Sequence, residues 1–198
     1  MQYVWDHFII NSNNGGTIFQ TQKFLSYHTT RIFNDSSLMF YKKNQLICVL
    51  PASYVDNKKT LESHPGASFG GFIIKKPSYE LCKNIILSFE KYCIKNGILN
   101  FIFTLTPRCY YGFYNEIFEY LLILSEYSVV ECYISHIIKF NKKKLPLDYL
   151  NKRKQRYIKN SFLNSNEFII KSSVDVESFY PVLIENKKRF NCQPTHSL

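Results

Sequence analysis

Between His64 and Phe72 the chain reads His-Pro-Gly-Ala-Ser-Phe-Gly-Gly-Phe, and four of these nine residues are Gly or Pro. The whole sequence holds only seven of each, so the residues that most restrict or most free a backbone are gathered here. Glycine, without a Cβ, admits φ > 0 and lets the backbone approach a ligand or a second strand closely. Pro65 holds His64 extended. The segment runs directly into the apolar Phe72-Ile73-Ile74. Upstream stands a hairpin pattern: Ser37 to Tyr41, a Lys42-Lys43-Asn44 turn, then Leu46 to Pro51. A hairpin, a glycine-rich approach to a strand and a following helix outline a small-molecule site. A tight turn with a bulge accounts for the same residues.

The surrounding elements interleave helices with strands. Trp5, Phe8 and Ile9 suggest a short first helix stopped by Asn13-Asn14-Gly15-Gly16, and Thr21 can cap a second through Phe24, Leu25 and His28. A polar loop is expected from Asp56 to Glu62. Ser78 caps the clearest helix, in which Cys82, Ile85, Ile86, Phe89, Tyr92 and Cys93 recur at three- and four-residue spacing until Asn96-Gly97. Ile98 to Leu105 is apolar at nearly every position, the pattern of a strand buried on both faces. A helix from about Gly112 to Tyr127 follows. Val130 to Phe140 then alternates like a half-buried strand. A strand near Phe168-Ile169-Ile170 and a helix from about Asp175 to Phe190 complete the chain. The order predicts an α/β (α+β) fold, a mixed and largely antiparallel sheet flanked by helices.

At 198 residues a compact chain buries roughly 70% of its unfolded surface, enough for a self-sufficient core. No stretch approaches the roughly 18 uninterrupted apolar residues of a membrane span. The N-terminus lacks the basic-then-apolar pattern of a signal peptide, so the cytoplasm is the expected location. The six cysteines form no C-x-x-C pair and sit mostly in apolar segments, as buried free thiols do; no metal site is expected.

The net charge of +10 is uneven. Residues 1–140 carry 13 basic and 10 acidic side chains, a balance of +3, and residues 141–198 carry 12 and 5, a balance of +7. Residues 141–164 hold eight of these cations against Asp148 alone. From Leu147 to Leu163, at about 100° per residue, Leu147, Leu150, Tyr157, Ile158 and Phe162 share one face. Lys152, Arg156 and Lys159 lie opposite, with Arg153 beside them. Such a helix docks by one side and offers a cationic ridge on the other. A solvated helix face is the plain reading. An anionic partner (phosphate, a nucleotide-linked sugar or RNA) is the other, favoured by Arg153 and Arg156, whose guanidinium groups chelate oxyanions in a bidentate manner.

Several segments in this order resemble the Fem-like branch of the GNAT acyltransferase superfamily. They are Gly16 to His28, Phe40 to Pro51, the His64-Pro-Gly-x-Ser-Phe-Gly-Gly motif, Asn151-Lys-Arg-Lys-Gln-Arg-Tyr-Ile-Lys159 and Pro194 to Leu198. The resemblance implies a first GNAT-like domain over 1–140. A basic linking helix and the incomplete start of a second would occupy 141–198. It further implies transfer of an acyl or aminoacyl group to an amine of a cell-envelope sugar or peptide precursor, with acyl-CoA or aminoacyl-tRNA as donor. Where that superfamily carries a glycine-containing loop for the coenzyme A pyrophosphate, this chain has Ile74-Lys75-Lys76-Pro77-Ser78, with no glycine and a proline lacking its N–H. The expected protein is therefore an incomplete transferase without its donor site.

Acyl transfer needs an unprotonated amine, an oriented donor and groups that stabilise the developing oxyanion. The candidate binding residues are His64, Ser68, Gly70, Gly71, Arg108 and Tyr110 around the expected cleft, with Arg153 and Arg156 on the basic helix. Arg108 follows the end of an inner strand, where open α/β sheets place ligands. His64 reads either as a positioned side chain or as a histidine bonded to its own loop. His136 is expected within a strand as a core or edge residue. No Ser, Cys and His arrangement announces a nucleophile, and Glu62 and Glu116 appear as lone carboxylates, so no catalytic residue is assigned. The partner is an anionic small molecule or nucleotide-linked precursor, or a tRNA. The competing reading is a non-catalytic module that holds an anionic ligand or partner through helix 147–163.

Overall fold

In the computed structural model the chain divides into two compact units, Met1–Tyr133 and Ile134–Leu198. Residues 2–12, 14–27, 31–57, 59–113, 115–134, 136–137, 141, 143–163 and 174–194 are described, apart from the side chains of Phe162 and Leu163.

The first unit opens with α1 (Gln2–Ile10) and α2 (Gln22–Leu25), joined through a single 3-10 turn at Ile18–Gln20. Thr21 caps α2 by accepting the Phe24 N–H, as its position before the apolar run predicts. Strands β1 (Asn34–Asp35), β2 (Leu38–Lys42), β3 (Gln45–Leu50), β4 (Ser53–Asp56), β5 (Thr60–Glu62) and β6 (Ile73–Ile74) follow, then α3 (Tyr79–Lys95), β7 (Asn100–Ile102) and α4 (Ile117–Leu124). The fold is α+β: the sheets β1-β4-β5-β7 and β2-β3-β6 are antiparallel except for the β5–β7 pair, and helices flank them.

The two sheets share their strand paths. Asn34 faces Tyr54 and Leu38 faces Leu50, four residues apart on each side, and the Ser36 N–H bonds the Ala52 carbonyl between them. Strands β1 and β2 therefore form one course against β3 and β4. The next course differs. Ser53 faces Glu62 and Cys48 faces Ile74, so five residues on one strand oppose twelve on the other. Six of the seven extra residues are the glycine-rich segment 64–69, which leaves the ladder after Ser63 and returns at Gly70. The β2–β3 turn places Lys43 and Asn44 at φ +48° and +62°, the left-handed pair that a two-residue hairpin turn requires.

Alternation along the strands builds two apolar layers. Cys48, Leu50 and Ile74 pack with Ile85, Ile86 and Phe89 of α3 and with Phe118, Leu121 and Leu122 of α4. Their neighbours Val49 and Ile73 pack on the opposite side against Trp5, Phe8 and Ile9 of α1. Helix α3 begins where Ser78 accepts the Leu81 N–H and ends at Gly97, at φ +67°. These positions agree with its periodic pattern and its punctuation.

Some expectations are corrected. Asp56 to Glu62 is not a polar loop but the tip of the β4–β5 hairpin, whose outer residues face water. Ile98 to Leu105 is not buried on both faces. Its regular part is β7, in which Asn100 and Ile102 are exposed and Phe101 half-buried, because only the α3–α4 side is covered. Helix α4 starts at Ile117 rather than Gly112, after a 3-10 turn at Arg108–Tyr110. The described part of 130–140 is not a strand, and Val130, Tyr133 and Ile134 are exposed. The alternating pattern supplies a face, but a ladder also needs a partner, and no described strand pairs there. His136 is accordingly exposed. Cys48, Cys82 and Cys93 are buried free thiols, whereas Cys109, Cys132 and Cys192 are exposed.

The second unit contains a 3-10 turn at Pro146–Tyr149, α5 (Lys152–Leu163) and α6 (Val176–Lys188). Asn151 caps α5 through the Lys154 N–H, and Asp175 caps α6 through the Ser178 N–H. The expected strand at Phe168–Ile170 and His196 lie outside the described residues. No described helix is long and apolar enough to cross a membrane.

Candidate functional site

The departure of residues 64–69 from the ladder brings three loops together beside the C-terminal end of β7. The Gly70 N–H bonds the Thr104 carbonyl, and Gly70 makes a parallel bridge to Leu105. The Thr104 N–H bonds Ser63 Oγ at 2.7 Å. Gly71 sits at φ +82°, and a Cβ there would lie 3.0 Å from Leu105 Cδ2. Both the backbone turn and the close approach therefore call for glycine at this position.

The centre of the assembly is Gln20, which is fully buried. Its side-chain N–H2 donates to the Gly15 carbonyl at 3.2 Å and to Thr106 Oγ1 at 2.9 Å. Its Oε1 accepts from the Thr17 N–H at 2.8 Å and from Thr17 Oγ1 at 2.7 Å. Thr106 Oγ1 in turn donates to the Gly70 carbonyl at 3.2 Å, and the indole N–H of Trp5 donates to the Gln20 carbonyl at 2.8 Å. One amide thus ties the α1–α2 connection, the end of β7 and the glycine-rich loop together. Such a network is stiff because each buried polar group is satisfied. The Thr17-x-x-Gln20 spacing of a capping box marks Gln20 locally, but nothing in the local sequence ties it to Thr106.

Above this polar layer runs an aromatic one. Phe69 meets Phe19 edge-on with ring centroids 5.0 Å apart and Tyr110 at 5.3 Å. Phe69 is buried and Tyr110 half-exposed. Of the predicted residues, His64, Ser68, Gly70, Gly71, Arg108 and Tyr110 are brought to these joined loops.

Their roles separate. His64 is 2% exposed, and its Nδ1 accepts the Gly66 N–H at 3.1 Å while Phe33 packs edge-on at 5.1 Å. An Nδ1 that accepts leaves the ring proton on Nε2; this histidine braces its loop. Ser68 is exposed at the loop's tip. Arg108 is exposed and forms an ion pair with Glu116, which corrects the reading of Glu116 as a lone carboxylate. Arg153 and Arg156 are exposed on α5 of the second unit.

Tyr111, adjacent to Tyr110, bridges Asn14 through its backbone. Its phenol is pushed up to about 12, first by burial and then by the charge of Glu119, with Arg108 opposing. Burial likewise pushes the core thiols of Cys82 and Cys93 up to about 11. All three groups hold their protons more tightly folded than unfolded, so their contribution is complete below the unfolded values of 9.0 and 10.0 and is lost as pH rises towards 11–12. The urea midpoint should stay level to about pH 8 and fall between about pH 9 and 12. Tyr111→Phe should remove one proton's share of that fall above pH 10. A midpoint rising over this range would contradict the assignment.

Two clefts are lined by other residues of the first unit. One of about 240 Å³ is lined by Gln2, Trp5, Gln22, Ser26, Asp35, Ser37 and Met39, and a shallow hollow of about 440 Å³ is lined by Asn34, Tyr54, Val55, Asp56 and Asn57. Among the described residues no group of three or more His, Cys, Asp or Glu is placed to hold a metal ion. No protein-family model, curated protein or solved structure matches this chain.

Proposed function

We propose that residues 1–133 form a GNAT-like unit of an N-acyl- or aminoacyltransferase, and that its joined loops receive the amine-bearing acceptor, a cell-envelope sugar or peptide precursor. The observation that carries this reading is the opening of the β5–β6 course at 64–69, directly beside the end of the parallel strand β7. Ligands of α/β sheets sit outside the carboxyl ends of strands. The course of three antiparallel strands, a helix and a fourth strand parallel to the third also accords with the resemblance. In this reading Tyr110 supplies a face for a sugar or peptide group, the exposed edge of the Arg108 guanidinium, paired with Glu116, meets an anionic precursor, and Ser68 offers a hydroxyl at the rim. The donor is an acyl-CoA or a charged tRNA, and a cytoplasmic setting goes with either.

The start of α3 is poorly suited to a donor pyrophosphate. Ser78 Oγ already takes the Leu81 N–H, Pro77 has none to offer, and Glu80 puts a negative charge in the first turn. Isothermal titration of the protein with acetyl-CoA should show no micromolar binding; heat saturating in that range would refute this account of the junction. In a thermal-shift series, an amine-bearing nucleotide-linked sugar should raise the melting temperature. Arg108→Ala and Tyr110→Ala should each abolish that rise while leaving the unliganded melting temperature within about 2 °C. The same rise in both variants would remove the joined loops from the site.

A further inference from the structure

Helix α5 carries its charge where a stable helix would not place it. Lys152, Arg153 and Lys154 occupy the first turn, at the positive end of the helix dipole, with no acidic residue among them. Lys152 and Arg156 are four residues apart, and Arg153, Arg156 and Lys159 follow at three-residue steps, so like charges are neighbours along the surface. All five side chains are exposed. The only ion pair among the described residues is that of Arg108 and Glu116. The neutral Asn151 cap adds no charge, and no acidic side chain in α5 offsets this repulsion, so an anionic partner would relieve it.

We propose that α5 is a docking surface for single-stranded nucleic acid, held through its phosphodiester backbone. This is independent of the transferase reading of the first unit. Four cations, Lys152, Arg153, Arg156 and Lys159, line a ridge about 10 Å long at 1.5 Å per residue. Tyr157, expected on the docking face, is instead 77% exposed: it stands one turn beyond Arg153, at the edge of that face next to the ridge, where a base can stack on it. Duplexes keep their bases stacked inside and offer that face nothing. A membrane surface fits less well. Ile158, on the other side of the helix, and Leu150, just before it, are half-buried, and the chain's single tryptophan, Trp5, lies in the first unit. A helix lying in a bilayer interface needs a free bulky apolar face.

The test is fluorescence anisotropy of the full chain with a labelled, mixed-sequence 20-nucleotide single-stranded RNA, the same sequence as duplex, and vesicles containing phosphatidylserine. With four phosphates neutralised, log K against log salt should fall with a slope of about −3. Arg153→Gln with Arg156→Gln should weaken binding about tenfold at low salt and reduce the slope by about 1.4. Tyr157→Ala should weaken binding about fivefold or more with the slope unchanged. Lys83→Gln with Lys91→Gln, an equal charge loss on α3, should leave binding intact. Relief of repulsion keeps the arginine double variant folded, which circular dichroism checks. Absence of RNA binding, equal binding by that variant, tighter binding of the duplex, or binding of vesicles alone would each overturn the proposal.

Discussion

Phe89→Ala is expected to lower the unfolding free energy by about 3–5 kcal/mol, the range for emptying a large aromatic site in a packed core. Phe89 has no exposed surface and lies 5.6 Å from the ring of Phe72, 5.0 Å from Phe101 and 5.6 Å from Phe103. Phe72 in turn stacks on Phe118 at 4.9 Å. This one side chain therefore connects the strand β6 region, β7 and, through Phe72, α4. Removing it leaves a void bordered by rings that are too rigid to collapse into it. Urea denaturation gives the measurement, and Phe113→Ala, at a 45% exposed position, serves as comparison with a change within about 0.5 kcal/mol. A loss at Phe89 under about 1.5 kcal/mol would mean that the aromatic cluster is not the centre of the first unit's stability.

Gln20→Met should have the next largest effect, about 2–3 kcal/mol. The substitution preserves length and apolar volume but strands buried polar partners. The Thr17 N–H loses its acceptor, and the Gly15 carbonyl and Thr106 hydroxyl lose their donor. Because Thr106 also holds the Gly70 carbonyl, the loss should reach the glycine-rich loop. Amide exchange at Gly70 should quicken, and any ligand of the joined loops should bind more weakly. A double-mutant cycle with Thr106→Val should reveal a coupling of at least about 0.5 kcal/mol, as expected for groups in one network. Strict additivity would show that the two side chains act separately and that Gln20 is not the hub.

Much of this architecture was legible in the residue pattern, and the exceptions have physical reasons. Helix α3 was readable from Ser78 to Gly97 because periodicity, cap and stop signal agree along its length. The β2–β3 hairpin was readable because Lys43-Asn44 separates two β-rich runs. The β4–β5 hairpin was not, since its course at the sheet's end is short and partly polar, and only pairing with β1 and β7 makes it a strand. The pattern at 130–140 misled in the opposite sense: alternation announces a face but says nothing of whether a neighbouring strand exists to complete the ladder. At the candidate site, the glycine-rich loop and residues Arg108 and Tyr110 were legible because Gly, Pro and strand ends punctuate the sequence, whereas the 3-10 turn that carries the latter pair was not. Gln20 and Thr106 were not found, because 86 residues separate them and no local signal joins them. His64 was visible as a residue but not as a brace, which depends on the Gly66 N–H turning back upon it.

The excursion at 64–69 is closed at its base. A Cβ on Gly70 would sit 3.2 Å from Ser63 Cβ, so the chain comes back to the point from which it left. A segment anchored in this way behaves as an exchangeable cassette. Between the buried anchors His64 and Phe69, length can be added at the exposed tip around Ser68 while the ladders on either side keep their pairing, since lengthening a closed loop adds little entropic penalty. If the joined loops bind as proposed, substitutions at that tip can therefore change what they hold without each change being filtered through the stability of the sheet.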